Sequence, residues 1–397
     1  MRILVLDGDQ NQAVACVRSL AKAGHEVRVG ESRPWSKAGW SRCASGSFQY
    51  ASPRINPEKF INDVISEARK VTGTLVLPTT EATTLLISSN RSMFSQAGSR
   101  FVLPDHCNLL KAFDKRQTTE LAQSLGIPVP KTCPARTTEE MSAALEQMQF
   151  PVVLKPRSSQ EKSSNGGMQT TGRPGYATNT DGALALFSDM RKRCSSILVQ
   201  EFVDGTGTGY FALMKDGEVR AEFAHRRIRD LHPTGSGSVL RESIAVDPQI
   251  RNASLSMLRA LRWHGVAMIE YRLRRDGVPV FMEVNGRFWH SLPLACYAGV
   301  DFPALLAHMA EFGDVDPPAH YRVGVKCRWL AGDLWHLLEV WQGPPPGYPG
   351  KFPARLSTLL AELTPTPGMF HDNFTWDDPL PELGDWLRLV DQVRHRG

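Results

Sequence analysis

The stretch that decides the fold is Phe281-Met282-Glu283-Val284-Asn285-Gly286-Arg287, taken with Ile269-Glu270-Tyr271 just upstream. Two β-rich runs, residues 266–273 and 278–284, flank an Arg-Arg-Asp-Gly turn, and the pattern predicts paired strands. Strict alternation puts Phe281 and Glu283 on one face and Met282 on the other. A carboxylate sharing a face with phenylalanine is costly to bury unless a partner or a cation joins it. Magnesium takes hard oxygen ligands, usually only a few from protein, and shares the rest with phosphates and water. Glu270, Glu283 and Asn285 form such a set, and Arg287 stands beside it for an anionic substrate.

Bulk properties narrow the class. A chain of 397 residues is long enough for two to four domains, and 42% hydrophobic with 22% charged residues is an ordinary globular balance. The formal charge of +5 is too dilute for a nucleic-acid track. Its densest basic cluster is Arg226, Arg227 and Arg229, as well suited to a solvated strand end as to a phosphate. Seven cysteines are scattered without a CxxC pair, which argues for reduced thiols and against zinc. The first apolar run is too short for a signal peptide, and no run reaches the ~18 residues of a membrane span. The expectation is a cytoplasmic protein with no membrane and no nucleic-acid partner.

Residues 1 to about 110 alternate strand and helix signals, with strands at 3–6, 26–29, 75–77 and 101–103, so an α/β parallel sheet with crossover helices is expected. The turn Asp7-Gly8-Asp9-Gln10 is not GxGxxG, so a dinucleotide pocket is not expected. Ligands of such sheets bind beyond the carboxyl ends of strands. Asp7, Thr79, Thr80 and Glu81 are therefore candidate substrate contacts, with a helix cap as the plainer reading. Pro128, Pro130 and Pro134 mark a boundary, followed by a strand ending in Lys155. The polar segment 157–175, with Ser158, Ser159, Ser163, Ser164, Gly166 and Gly167, has the chemistry of a lid over phosphates. The segment 225–242, with Arg226, the Gly235-to-Ser238 run and Arg241, is balanced between structural loop and substrate contact. Past Asp314, prolines and Trp329, Trp335, Trp341, Trp376 and Trp386 define a tail whose aromatics are expected mainly in a core.

Taken in order, Lys115, the Gly126-to-Pro130 run, Val153-Leu154-Lys155-Pro156, Val199-Gln200-Glu201-Phe202-Val203, Glu270 and Glu283-Val284-Asn285-Gly286-Arg287 resemble the ATP-grasp superfamily. The likeness is to its carboxylate–amine ligase-like members, which have a carbamoyl-phosphate-synthetase-type ATP-binding fold. It covers roughly residues 1–315. It implies an α+β architecture: a Rossmann-like βαβ domain over 1–110, an ATP-grasp domain over 111–315, and a C-terminal extension over 316–397. The ATP-grasp part would divide into a lid subdomain at about 125–200 and a metal-binding one at about 201–315. The resemblance implies that Lys115 and Lys155 hold ATP phosphates and that Gln200, Glu201 and Val203 line the adenine hinge. It makes Glu270, Glu283 and Asn285 the ligands of magnesium, with manganese as the alternative, and gives Arg287 and Lys155 the catalytic positions.

The chain departs from the family in two places. The acidic residue that many relatives use for the ribose is missing near Gly209, which leaves either Asp204 as a substitute or a ribose held less tightly, and Gly286 stands where proline is common. The implied partners are a small-molecule carboxylate and an amine joined with release of ADP and phosphate. A homodimer is the base-rate expectation. A bicarbonate-using carboxylase or carbamoyl-phosphate-type enzyme, and an ATP-binding module without catalysis, are the alternatives.

Overall fold

The computed structural model describes residues 1–162, 168–364 and 367–394. β1 (Arg2–Val5), β2 (Glu26–Glu31), β3 (Gly46–Gln49) and β4 (Leu75–Leu77) form a parallel sheet in the order β3-β2-β1-β4. The crossovers carry α1 (Asn11–Lys22) and α2 (Pro57–Ala68). Beyond β4 come α3 (Glu81–Ser89), α4 (Arg91–Gln96) and α5 (His106–Phe113). The strand expected at 101–103 does not form; only Arg100 bridges to Leu75. The Arg91 guanidinium takes the carbonyls of Leu103 and Pro104, so the chain is tied to a helix there and not to the sheet edge.

α6 (Lys115–Ser124) leads into a second sheet. It contains β5 (Thr132–Ala135), then α7 (Thr138–Glu146) and β6 (Val152–Pro156). A small hairpin of β7 (Gln160–Lys162) and β8 (Met168–Thr170) follows, then β9 (Gly175–Ala177), α8 (Thr180–Arg191) and β10 (Ile197–Glu201). The order β5-β10-β6-β9 is antiparallel throughout. Met141, Leu145, Leu154, Phe187, Ile197 and Val199 join the two helices to this sheet in one core. The candidate lid segment is thus partly β-structure, and its residues 163–167, with Ser163, Ser164, Gly166 and Gly167, lie outside the described residues.

The third sheet is the largest. β11 (Thr206–Lys215), β12 (Glu218–Arg229) and β13 (Leu240–Ile244) are followed by α9 (Pro248–Ala260), β14 (Gly265–Leu273) and β15 (Pro279–Asn285). Next come α10 (Leu292–Ala298), α11 (Phe302–Phe312), β16 (Lys326–Arg328), α12 (Leu330–Gln342), α13 (Arg355–Leu363), β17 (Phe370–His371) and α14 (Leu380–Arg394). Seven strands pair in the order β15-β14-β11-β12-β13-β16-β17. The glycine-rich run at 205–209 leads into β11, with Gly207 and Gly209 paired to Arg272 and Glu270.

Period-2 alternation splits this sheet between two cores. Phe211, Leu213, Phe223 and Met268 pack with β1, α1, α10 and α11, so the first and third sheets share one interior. Tyr210, Ala212, Ile269, Tyr271 and Phe281 face the other way, against α5, α6 and α9. The tail is stitched into both sheets: Arg241 and Asp372 form an ion pair with no solvent exposure, and Asn11 donates to Asp372 at 3.0 Å. Lys37 pairs with Asp385 at 2.6 Å. Of the tryptophans, Trp335 is buried whereas Trp341 and Trp376 are exposed, so the set is core only in part. No single helix among the described residues is long and apolar enough to cross a membrane.

Candidate active site

Asp114 caps α6 by accepting from the amides of Arg116 and Gln117. It also takes the Arg157 guanidinium, and the Lys115 amide donates to the Arg157 carbonyl at 3.0 Å. The start of α6 is thereby fastened to the end of β6, which carries Lys155. The cap alone is worth ~1 kcal/mol, and its consequence is that two lysines forty residues apart reach one cleft.

That cleft lies between the second and third sheets. One cavity of ≈ 170 Å³ is lined by Lys115, Lys155, Gln200, Glu201, Val203, Glu270 and Glu283 together with Tyr176, Arg272, Met282 and the loop 234–237. Seven of the sequence-nominated residues therefore converge. Asn285 adjoins them, donating from Nδ2 to Glu283 at 3.2 Å, and Arg287 reaches the Asn285 oxygen at 3.4 Å. Asp204 faces elsewhere: it pairs with exposed Arg275 at 2.9 Å and lines a second cavity of ≈ 480 Å³ with Pro128–Pro130 and Arg274.

The placement of Glu283 differs in detail from the alternation argument. Glu270 pairs with Glu283 and Tyr271 with Phe281, so Met282 is an extra residue, a β-bulge. The bulge sends Phe281 into the core against Tyr271 and turns Met282 and Glu283 together into the cleft. Phe281 and Glu283 do not share a face. Gly286 has a steric reason to be glycine, because a Cβ there would lie 2.6 Å from the Trp263 ring.

The electrostatics divide the two facing carboxylates. Burial pushes the Glu283 carboxyl up, but Lys115 at 3.1 Å, Lys155 and the hydrogen bonds from Lys115 and Asn285 outweigh it and hold it well below the usual range. Glu270 moves the other way: burial raises it, the Arg227 guanidinium at 2.6 Å opposes, and the charge of Glu283 adds to the rise. Lys155 is buried with no carboxylate within ion-pair distance among the described residues. Burial and then repulsion from Lys115 push its ammonium down to about 8.

The donors suit a divalent cation of the magnesium type. Glu270 and Glu283 stand opposite each other in register, and their mutual repulsion is what a bound cation relieves. All donors are oxygens, as magnesium or manganese prefers. Among the described residues no cluster of three His, Cys, Asp or Glu could hold a metal, so the set reaches three only through Asn285.

Sequence reasoning missed several walls of the site. Arg272 donates to the carbonyls of Gly205 and Gly235 at 3.0 and 2.7 Å, bracing the loop 234–237, whose Gly235 sits at φ +98°. Tyr176 donates to Thr234 at 3.2 Å and meets Phe202 and Tyr348, which brings the tail to the hinge. Arg227 was visible only as one member of a basic cluster, and its pairing with Glu270 depends on the β11–β12 register. Arg241, nominated with the same segment, points away into the ion pair with Asp372 and is structural.

Two family models match consecutive parts of the chain: the ATP-grasp domain over residues 109–204, and "ATP-grasp in the biosynthetic pathway with Ter operon" over 193–332. A D-alanine–D-alanine ligase of Cupriavidus taiwanensis is 25% identical over 235 residues, 53% of this chain and 67% of that protein. Among solved structures, a biotin carboxylase from Campylobacter jejuni superposes with a TM-score of 0.64 at 14% identity, covering 82% of this chain and 74% of the other. N5-carboxyaminoimidazole ribonucleotide synthetase from Thermus thermophilus gives 0.60 at 16% identity over 82% and 81%. An L-amino acid ligase from Bacillus licheniformis gives 0.55 at 16% identity over 78% and 73%. The fold is the ATP-grasp fold, preceded by a parallel βαβ sheet. The chain belongs to the ATP-grasp superfamily.

Proposed function

We propose that this protein is an ATP-dependent ligase that activates a carboxylate as an acyl phosphate and passes the acyl group to an amine. The observation that carries this reading is the convergence of Lys115, Lys155, the Gln200–Val203 hinge, Glu270 and Glu283 on one cleft between two sheets. A carboxylate is a poor acyl donor because oxide cannot leave. Transfer of the γ-phosphoryl group supplies a good leaving group, and that transfer needs in-line positioning and charge neutralisation more than covalent help.

In this reading Lys115 and Lys155 neutralise the phosphate oxygens as compact ammonium charges. The strand end at Gln200 to Val203 presents backbone groups to the adenine edge. The Gln200 side chain is locked to Thr132 at 2.8 Å, so the hinge strand is held rigid. Glu270, Glu283 and Asn285 would hold a divalent cation, which would supply positive charge beside the phosphate oxygens. Lys115 and Arg227, which now neutralise the two carboxylates, then turn toward the added anions. Arg287 holds the substrate carboxylate through its planar fork. Tyr176, Phe202 and Tyr348 screen the cleft from water, which protects a reactive acyl phosphate.

The test is magnesium-dependent release of ADP and phosphate across panels of carboxylates and amines, with products identified by mass. An amide of matching mass supports the reading. Release driven by bicarbonate without an amide points to the carboxylase alternative. Tight ATP binding with no release in any combination points to a binding module.

A further inference from the structure

In the tail, α13 turns its leucines to solvent and its polar residues to the body. Leu356, Leu360 and Leu363 stand at i, i+4 and i+7, which is one helix face, and they are 67%, 57% and 69% exposed. The buried residues of the helix are Thr358 and Glu362. A surface helix normally does the reverse, with its apolar stripe on the core and its polar face in water. α12 repeats the pattern in part. Leu334, Leu338 and Trp341, again at i, i+4 and i+7, are exposed, whereas Asp333 and His336 are buried along with Trp335 and Val340.

The cause is positive charge on the body beneath. Arg229, at the end of β12, pairs with Asp333 of α12 at 2.5 Å and with Glu362 of α13 at 3.8 Å, and Arg328 of β16 also takes Asp333. Both helices thus turn an acidic face to the seven-stranded sheet, and both leucine stripes point away from it. The helices pack antiparallel: Arg355 donates to the Trp341 carbonyl at 2.8 Å, and His336 lines one hollow with Ser357, Thr358 and Ala361. The stripes therefore lie side by side on one outward surface. That surface is poor in free charge, because Asp333 and Glu362 are buried and Glu339 is held by Arg173 and His232, each at 2.9 Å. An ordinary solvated surface has roughly 25–35% charged residues.

We propose that this face is an interface between two copies of the chain, in which the α12–α13 hairpins of two protomers pack against each other about a twofold axis. At the exposures of its six large side chains, the patch presents apolar area on the order of 600 Å², as large as the largest patch on a typical monomer and equal to one partner's share of an interface of about 1,200 Å². An antiparallel hairpin with two leucine stripes is self-complementary: its ridges fit the grooves of its own copy, and the four helices form one layer. The scarcity of charge removes the like-charge repulsion that a copy would otherwise meet. A lipid surface is the poorer occupant, since helices that lie on membranes carry Lys and Arg on the polar face, and here that face holds Thr358 and Glu362 and is buried.

The experiment is sedimentation equilibrium of the full chain from about 1 to about 100 μM. Wild type is expected to approach twice its 44.1 kDa at the upper end. Leu356→Glu combined with Leu360→Glu should weaken the association at least about 100-fold, with an unchanged circular dichroism spectrum. Leu360→Ala, which adds no charge, should weaken it about tenfold. Phe312→Glu, at a side chain equally exposed on α11, should leave the dimer intact. A wild type that stays at 44.1 kDa at the highest concentration overturns the proposal. Co-sedimentation of that monomer with phosphatidylcholine–phosphatidylserine vesicles would then assign the face to lipid, and its absence to a different protein. A dimer that survives both leucine variants, or that Phe312→Glu dissociates, also overturns it.

Discussion

Two buried charge clusters in this molecule are built from the same residue types and behave differently. Where the tail meets α1 and the seven-stranded sheet, Arg241 and Asp372 are fully enclosed, and Asn11 and Cys327 also bond to Asp372. Each charge meets its opposite directly, and both side chains are closed off from solvent. In the cleft, Lys115 and Glu283 pair at 3.1 Å with 17% and 30% of their side chains still exposed, and the pair lines a cavity. Lys155 stands beside it with no ion-pair partner among the described residues. A buried ion pair that seals an interface is structural, whereas one that borders a space and leaves a cation over is set to exchange partners.

The comparison is broken most easily at its two acidic centres. Glu283→Gln should cut turnover by at least about 10³-fold, while urea unfolding shifts only slightly, because that ion pair is partly solvated. Asp372→Ala leaves Arg241 enclosed without its counter-charge and should cost about 3–5 kcal/mol of unfolding free energy. The molecules that do fold should keep wild-type turnover. If Glu283→Gln proves the more destabilising of the two, the division between sealed and exchangeable pairs is wrong.

A pH titration sharpens the contrast. With its ammonium near 8, Lys155 is cationic below that pH and loses its charge as pH rises through it. Bound phosphates favour the cation, so ATP binding takes up a proton near pH 8, and affinity should fall about tenfold per unit well above it. Calorimetry in buffers of different ionisation heat measures that uptake, and Lys155→Met should abolish it. The smallest expected effect is at the cap of α3: Thr80→Ala loses the bond to the Thr83 amide and should cost about 1 kcal/mol in urea unfolding with little change in turnover.

Much of the cleft was legible because its residues sit in short local motifs at the ends of strands. The hairpin read from residues 266–284 is β14 and β15 within a residue or two. What the sequence hid are effects of register and distance. One extra residue at Met282 reverses the expected face of Phe281, and no period-2 pattern contains that information. The partners of Arg227 and Arg241 lie 43 and 131 residues away, so their opposite fates, cleft and core, were invisible from their shared basic segment. The tail looked like an aromatic extension without a motif. Its role in the sheets and at the hinge comes through Asp372, β16 and Tyr348, residues whose individual types carry no signal.

The central claim is that phosphate passes through an acyl phosphate in the Lys115–Glu283 cleft. It is tested most directly by following oxygen-18 from a labelled carboxylate substrate into the products. The account predicts that each phosphate released carries one labelled oxygen and that ADP carries none. Unlabelled phosphate formed alongside a labelled amide, or appearance of label in AMP, would contradict it.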